Sequence, residues 1–140
     1  MIRRSREPAK EILDEQAKAW ASKPALRKIY SRYFDLAFQS CLPGSTLELG
    51  AGSGALKKCG YSVLSTDLET TSGIDVVSDA QLLPFRDKSF DNIFAIDVFH
   101  HIERPVRLLR EACRVLKPGG RLVLLEPGIT WTSFWFYNYF

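Results

Sequence analysis

The spacing of apolar residues along the chain changes near residue 45 and separates a helical region from a mixed one. Over residues 8–22 and 24–41, apolar positions recur every three or four residues, which predicts two helices that meet at Pro24. From residue 45 onward, short apolar runs of strand length alternate with turns and helical stretches. These runs predict five strands, at Thr46–Leu49, Val63–Thr66, Asp75–Ser78, Asn92–Val98 and Arg121–Leu125.

The clearest helix of the mixed region lies in the segment "ERPVRLLREACRVLKPGG", between the fourth and fifth strands. Pro105 suits its first turn, and Gly119–Gly120 suit its exit. Its apolar stripe is predicted at Leu109, Ala112, Cys113 and Leu116. Because strands alternate with helices, the pattern predicts parallel β/α units with right-handed crossovers, and therefore an α/β fold.

The composition is that of an ordinary globular protein, with a mild net charge of +3 over 140 residues. The first forty residues carry nine Lys/Arg and five Asp/Glu, a basic excess that we interpret as a solvated helix face. The three cysteines, Cys41, Cys59 and Cys113, show no metal-ligand spacing and are interpreted as small buried apolar groups. The sequence shows no signal-peptide pattern and no apolar run of transmembrane length, which predicts a cytoplasmic protein.

Four carboxylates coincide with the first four predicted strands. The stretch "STLELGAGSG" places a glycine-rich turn directly after a strand that carries Glu48. Asp67, Asp79 and Asp97 lie at or just after the next three strands. Because ligands of open parallel sheets bind outside the carboxyl ends of the strands, these acids are expected to meet in one crevice.

The ligand of that crevice is expected to carry positive charge rather than phosphate. Several carboxylates would repel a pyrophosphate, and the sequence Gly50-Ala51-Gly52-Ser53-Gly54 matches neither the dinucleotide fingerprint nor the P-loop. S-adenosylmethionine carries an ammonium, a sulfonium, a ribose diol and an adenine amino group, and a carboxylate can meet each of them. Glycines would also let the backbone approach its methionine portion closely.

Successive segments of the chain resemble the motifs of class I S-adenosylmethionine-dependent methyltransferases, in particular the small enzymes of the methyltransferase type 11 group. The segments are "LELGAGSG", "STD", "SDAQLLPFRDKSFDNIFAIDVFHHI" and "LKPGGRLVLLEP", and the resemblance runs from about Ser45 to Pro127. It implies a Rossmann-like parallel sheet of strand order 3-2-1-4-5, S-adenosylmethionine as the cofactor, methyltransferase activity, and no metal.

The resemblance also implies which residues hold the cofactor. Glu48 and the loop residues Gly50, Ala51 and Gly52 would hold the methionine portion, with Asp97 beside that portion and the methyl group.

On the adenosine side, the resemblance implies that Asp67 binds the ribose hydroxyls and that Leu68 packs on the adenine. Asp79, beside Ala80, would accept a hydrogen bond from the adenine amino group. His100 and His101 follow in the loop expected to face the acceptor, where either could act as a base or only shape the pocket. No catalytic residue is therefore assigned.

The chain departs from the family pattern near its C-terminal end, where the family's last two strands have no counterpart. We predict a helical segment at 1–44, a cofactor-binding domain at 45–127, and an aromatic tail at 128–140 that begins a missing region. Seven of the last ten residues are aromatic, which predicts contact with a second copy of the chain or with a membrane surface. The first crossover, "ALKKCGYS", is also short for a helix.

The predicted function is methyl transfer from S-adenosylmethionine to a small-molecule or lipid-like acceptor, with no nucleic-acid partner expected. One alternative is a non-catalytic cofactor-binding remnant or interaction module, which the missing strands favour and the intact acids oppose. A second alternative is a nicotinamide-dependent oxidoreductase, which the glycine spacing disfavours.

Overall fold

Residues 7–128 are described in this computed structural model, and they form alternating helices and strands around one sheet. Two helices come first, and the remaining elements follow from residue 46. The elements are α1 (Glu7–Ser22), α2 (Pro24–Phe38), β1 (Thr46–Leu49), α3 (Ala55–Lys58), β2 (Leu64–Asp67), β3 (Val76–Val77), β4 (Phe90–Ile96), a 3₁₀ turn (Phe99–His101), α4 (Pro105–Val115) and β5 (Leu116–Leu125). The aromatic positions of the tail, with their predicted contacts, lie outside the described residues.

The five strands pair in parallel in the order β3-β2-β1-β4-β5, which confirms the predicted α/β fold and strand order. β1 lies at the centre, where Glu48 is opposite Ser65 of β2 and Phe94 of β4. All five strands therefore end at the same edge of the sheet, where Asp67 is the last residue of β2 and Asp97 follows β4. This edge is where the sequence predicts the ligand.

Helix α4 covers one face of the sheet, with a buried side different from the predicted one. Leu108, Ala112 and Val115 are buried against the sheet, whereas Leu109 is 39% exposed and Cys113 is also exposed. The predicted stripe is thus wrong by about one position around the helix, and the interpretation of Cys113 as buried is wrong. Apolar residues flank the buried face of α4 on both sides, so the sequence alone does not distinguish the observed buried face from the predicted one.

The helix ends four residues before the predicted exit at Gly119–Gly120. Leu116 already pairs with Phe90, and regular pairing resumes only at Arg121 opposite Asn92. The "KPGG" turn therefore forms an irregularity inside β5 instead of a helix exit. Gly119, at φ = 80°, provides the left-handed conformation that this irregularity requires.

Helices α1, α2 and α3 cover the opposite face of the sheet. Trp20, Phe34, Leu56 and Phe94 form its buried cluster, and the rings of Trp20 and Phe34 stack with centroids 6.3 Å apart. Arg27 fixes the corner between α1 and α2, because its guanidinium donates to the carbonyl of Trp20 at 2.7 Å. This packing positions the two N-terminal helices near the carboxyl edge of the sheet.

The short first crossover is confirmed, since α3 has only four residues. Over the described part of the chain, none of the helices is both long enough and apolar enough to span a membrane. The predicted cytoplasmic location and the three-part division of the chain both stay predictions.

Candidate functional site

A cavity of about 740 Å³ opens at the carboxyl edge of the sheet. Every residue predicted from the sequence to bind the cofactor lines this cavity. They are Glu48, Gly50, Ala51, Gly52, Asp67, Leu68, Asp79, Ala80 and Asp97. The fold thus brings together one acid from each of the first four strands or the turn that follows it.

The glycine loop adopts left-handed backbone conformations that only glycine accepts without strain. Gly50, Gly52 and Gly54 have φ angles of 63°, 52° and 73°. A side chain on Gly50 would collide with Val98, and one on Gly54 would lie 2.9 Å from the Cα of Gly73. At Gly52 the backbone angle itself is the constraint, because a Cβ added there would have its nearest neighbouring atom 3.4 Å away.

The loop is fastened to the end of β2 by Asp67. The amide of Gly52 donates to Asp67 Oδ2 at 2.8 Å, and the amide of Glu69 donates to Asp67 Oδ1 at 3.0 Å. A carboxylate can accept about four hydrogen bonds, so Asp67 retains acceptor capacity toward a ligand. The same carboxylate therefore shapes the loop and faces the cavity.

Glu48 is a buried acid within β1. Its residue is only 6% exposed, and Ser65 Oγ donates to its Oε2 at 2.6 Å. Burial raises the pKa of Glu48 to about 7, and the hydrogen bond from Ser65 opposes this shift only in part. A cationic ligand group would stabilise the ionised carboxylate, so Glu48 is poised to respond to positive charge.

Asp79, which the resemblance places beside the adenine, lines the cavity together with Ser78, a residue that was not predicted. Asp79 Oδ1 accepts from the amide of Gln81 at 2.8 Å, which closes a turn after β3. Ser78 Oγ is buried and has no hydrogen-bond partner among the described residues. Buried hydroxyls are rarely left unpaired, so this orphaned atom suits a site completed by a bound molecule.

Asp97 occupies an unusual backbone position directly after β4. Its φ of 54° is left-handed, and its amide donates to the carbonyl of Leu125 at 2.9 Å. Such conformations cost free energy and often occur at functional sites. The side chain is exposed and lines the cavity.

A largely apolar wall of the cavity comes from the N-terminal helices. Leu13 and Trp20 of α1 line the cavity together with Leu26, Tyr30 and Phe34 of α2. This contribution was not predicted from the sequence, where the apolar periodicity over residues 24–41 predicts a helix but no part of the site. Helical periodicity indicates that a face is buried, but not that part of the face borders a cavity.

The two predicted histidines differ in their surroundings. His101 lines the cavity and His100 does not, although the two ring centroids are only 3.9 Å apart. Nδ1 of His100 is 2.6 Å from Oε2 of Glu126, and the amide of Phe99 donates to Oε1 of Glu126 at 2.8 Å.

Glu126 was not predicted as a site residue either, although the sequence carries a signal for it. It follows β5 directly and so extends to the fifth strand the row of acids found at the first four. Burial acts to raise the pKa of Glu126, but hydrogen bonds from His100 and from the loop amides outweigh it. The pKa of Glu126 therefore lies below its ordinary value.

The donor set fits S-adenosylmethionine. Carboxylates can meet its ammonium and hydroxyl groups, and the glycine loop allows close backbone approach. The apolar wall formed by α1 and α2 would suit the surroundings of the methyl group of this cofactor. Within residues 7–128, no cluster of three or more acidic, histidine or cysteine side chains could hold a metal ion.

Comparison with known proteins gives a consistent family. A family described as "Methyltransferase domain" matches residues 47–124. "Probable tRNA methyltransferase 9B" of Bos taurus is 34% identical over 125 residues, covering 79% of this chain and 25% of that protein. "Ubiquinone/menaquinone biosynthesis C-methyltransferase UbiE" of Laribacter hongkongensis is 32% identical and covers 72% of this chain and 50% of that protein.

A solved structure has the same fold. It is the crystal structure of an S-adenosylmethionine-dependent methyltransferase, "possible histamine N-methyltransferase", from Thermotoga maritima, with a TM-score of 0.67 and 22% identity. The matched region covers 86% of this chain and 60% of that one. The chain thus spans between 25% and 60% of the length of these three proteins.

Proposed function

The chain belongs to the class I S-adenosylmethionine-dependent methyltransferases, and from that premise we propose that it transfers a methyl group from this cofactor to a small-molecule or lipid-like acceptor. The observation that carries the proposal is the convergence of all nine predicted cofactor residues on one cavity. When bound, S-adenosylmethionine supplies an electrophilic methyl group for in-line transfer.

The methionine portion is proposed to lie between the glycine loop and β1. Glu48 would balance the ammonium group, while Gly50 and Gly52 present backbone without side chains. The buried position of Glu48 strengthens such a charge-assisted hydrogen bond, because little water competes for it. Asp97 would lie next to this portion, at the end of β4.

The adenosine portion is proposed to lie over the ends of β2 and β3. Asp67 would accept from the ribose hydroxyls with the acceptor capacity that its two backbone amides leave free. Asp79 would accept from the adenine amino group, with Ala80 beside it. Leu68 is 61% exposed, and the adenine ring would cover that apolar surface.

The apolar wall of α1 and α2 supports a small or lipid-like acceptor. Trp20 and Tyr30 are among the residues that line the cavity, and aromatic pockets favour flat or apolar groups over polyanions. The relatives are named as a probable tRNA methyltransferase and a ubiquinone/menaquinone biosynthesis C-methyltransferase, and the apolar wall favours an acceptor of the second kind. Much of the catalysis can come from holding donor and acceptor in line.

Calorimetry with S-adenosylhomocysteine and with NAD tests the cofactor. We expect S-adenosylhomocysteine to bind and NAD not to bind. Binding of NAD alone would favour the oxidoreductase alternative and contradict the proposal.

Transfer of a labelled methyl group to quinol-type lipids and to tRNA tests the acceptor. Labelling of the lipid pool supports the proposal, whereas labelling of tRNA alone contradicts the acceptor class. Binding of S-adenosylhomocysteine without any transfer would favour the non-catalytic alternative. Leu26→Ala should reduce lipid labelling more than it reduces cofactor binding, because Leu26 lies on the apolar wall and outside the buried cluster of α1, α2 and α3.

A further inference from the structure

We propose that Thr71 is a positioning residue for the cofactor, which fastens the glycine loop and so prepares it for the methionine portion of S-adenosylmethionine. Thr71 lies in the connection between β2 and β3 and is not among the residues that line the cavity. This role rests on the proposed function, which places the methionine portion beside the glycine loop.

The connection between β2 and β3 is too short to hold the usual crossover helix. It runs only from Leu68 to Asp75, and none of these residues is helical. Parallel strands are normally joined by roughly a dozen or more residues, usually with a helix among them. The helix of the preceding crossover, α3, has only four residues. The helices of these two crossovers therefore give the glycine loop little support.

Two contacts join the β2–β3 connection to the glycine loop. The hydroxyl of Thr71 donates to the carbonyl of Gly52 at 2.6 Å. The backbones of Gly54 and Gly73 also approach each other closely, because a Cβ added to Gly73 would lie 2.8 Å from the Cα of Gly54. The amide of Gly52 already donates to Asp67. Both backbone polar groups of Gly52 are thus held by the end of β2 and the connection that follows it.

The connection is anchored at its far end as well. The amide of Ile74 donates to the carbonyl of Thr71 at 3.3 Å and closes a turn. Asp75 then exchanges two hydrogen bonds with Ser65 of β2, at 2.9 Å through its amide and at 2.8 Å through its carboxylate. Lys57 of α3 forms an ion pair with the same carboxylate at 2.5 Å. Thr71 therefore holds the loop from a segment that is fixed on both sides.

This fastening matters for binding because a glycine-rich backbone is free to adopt many conformations. Ordering such a loop at the moment of binding costs affinity, whereas a loop that is already held loses less freedom. Leu68, at the start of the same connection, lines the cavity and is proposed to cover the adenine. Thr71 acts instead through Gly52, on the methionine side. Loss of the Thr71 hydroxyl should therefore weaken ligands that carry the amino-acid portion and spare ligands that lack it.

Calorimetry with S-adenosylhomocysteine and methylthioadenosine measures this difference, because the second ligand keeps the adenosine and lacks the amino-acid portion. Thr71→Val keeps nearly the same shape and removes the hydroxyl. We expect it to weaken S-adenosylhomocysteine binding by about five- to tenfold, as suits one neutral hydrogen bond, and methylthioadenosine binding by less than about twofold.

Two matched variants separate positioning from general support. Thr71→Ser keeps the hydroxyl and should restore the affinity for S-adenosylhomocysteine to within about twofold of wild type. Thr70→Val makes the same chemical change at the exposed neighbouring residue and should alter neither affinity. Equal losses for the two ligands in Thr71→Val would overturn the positioning role, and so would an unchanged affinity for S-adenosylhomocysteine in the folded variant.

Hydrogen exchange in the ligand-free protein tests the fastening itself. The amides of Ala51, Gly52 and Gly54 are hydrogen-bonded in the closed loop, so their exchange requires the loop to open. We expect Thr71→Val to speed their exchange by about fivefold or more, while the amides of β4 keep their rates. Unchanged exchange in the glycine loop would overturn the fastening.

The same measurements distinguish this role from the proposed function. A wild-type chain that binds neither ligand would overturn the role of Thr71 together with the cofactor site. A chain that binds both ligands, shows the selective loss in Thr71→Val and yet transfers no methyl group would contradict only the proposed methyl transfer.

Discussion

Replacing Glu48 with glutamine should raise the free energy of unfolding and weaken cofactor binding, and the size of both effects should depend on pH. Glutamine has nearly the same shape, and its carbonyl can still accept the hydrogen bond from Ser65. The substitution therefore removes the ionisable group while keeping the packing and the hydrogen bond. The two proteins therefore differ in stability mainly by the free-energy cost of an ionised carboxylate in a buried position.

The sign and size of the stability effect follow from the pKa of Glu48. Burial raises it from 4.5 to about 7, so between these values the folded state binds more protons than the unfolded state. The stability contributed by the protonated carboxyl is fully present below about pH 4.5 and is lost as the pH rises through about 7. This shift in pKa corresponds to a loss of wild-type unfolding free energy on the order of 3 kcal/mol.

Urea unfolding of wild type and Glu48→Gln across this pH range measures the effect. We expect similar free energies of unfolding near pH 5, and a variant more stable by up to about 3 kcal/mol near pH 8. Glu103 also lines the cavity, so Glu103→Gln controls for the loss of one negative charge there. A stability difference that is independent of pH would refute the reasoning.

The same residue should couple cofactor binding to proton release. If the ligand ammonium requires an ionised Glu48, the wild-type affinity for S-adenosylhomocysteine should rise about tenfold per pH unit below pH 7 and then level off. Glu48→Gln should remove this dependence and bind about 10- to 100-fold more weakly. Calorimetry in buffers of different ionisation enthalpy counts the released protons. A wild-type affinity that is flat between about pH 5 and pH 8 would remove Glu48 from the ligand.

Three further predictions test other parts of the site and the fold. Asp67→Ala should weaken S-adenosylhomocysteine binding by roughly 1.5–3 kcal/mol in calorimetry, and equal affinities would exclude Asp67 from the site. Gly52→Ala and Gly60→Ala should each cost about 1–2 kcal/mol in urea unfolding, because both have positive φ, yet only Gly52→Ala should impair binding. Asn92→Leu should lower the free energy of unfolding by about 2–5 kcal/mol, because the fully buried Asn92 makes two part-buried hydrogen bonds to Leu42 that leucine cannot make. A smaller loss would indicate that water takes the place of the side chain.

The fold and the row of acids were predictable because they depend on local patterns. Short apolar runs indicate strands, and an acid just after a strand lies at the carboxyl end of that strand. In a parallel sheet these ends share one edge, so the position of each acid does not depend on the order of the strands. The strand boundaries were less predictable where pairing depends on distant partners. Leu116 joins β5 because Phe90 lies opposite it, and no local pattern near "KPGG" reports that partner.

The apolar wall and the Glu126 contact depend on packing across the chain. Trp20 and Tyr30 have the same helical spacing whether they border a core or a cavity, so their role follows only from where α1 and α2 lie. Glu126 meets His100 because β5 pairs with β4 in a register that brings Leu125 opposite Ile96. A shift of two residues along β5 would keep the same side chains facing each sheet surface but displace Glu126 by about 6.6 Å along the strand.

Asp67 shows why an acid at a strand end cannot be assigned one role from sequence. A carboxylate in that position can hold backbone amides or face a ligand, and here it accepts from Gly52 while also lining the cavity. These roles reinforce each other, because the hydrogen bond that fixes the glycine loop also fixes the direction of the remaining lone pairs. The binding loss of Asp67→Ala will therefore combine a lost ligand contact with a loosened loop. Comparing it with Gly52→Ala, which disturbs the loop but leaves the carboxylate in place, separates the two contributions.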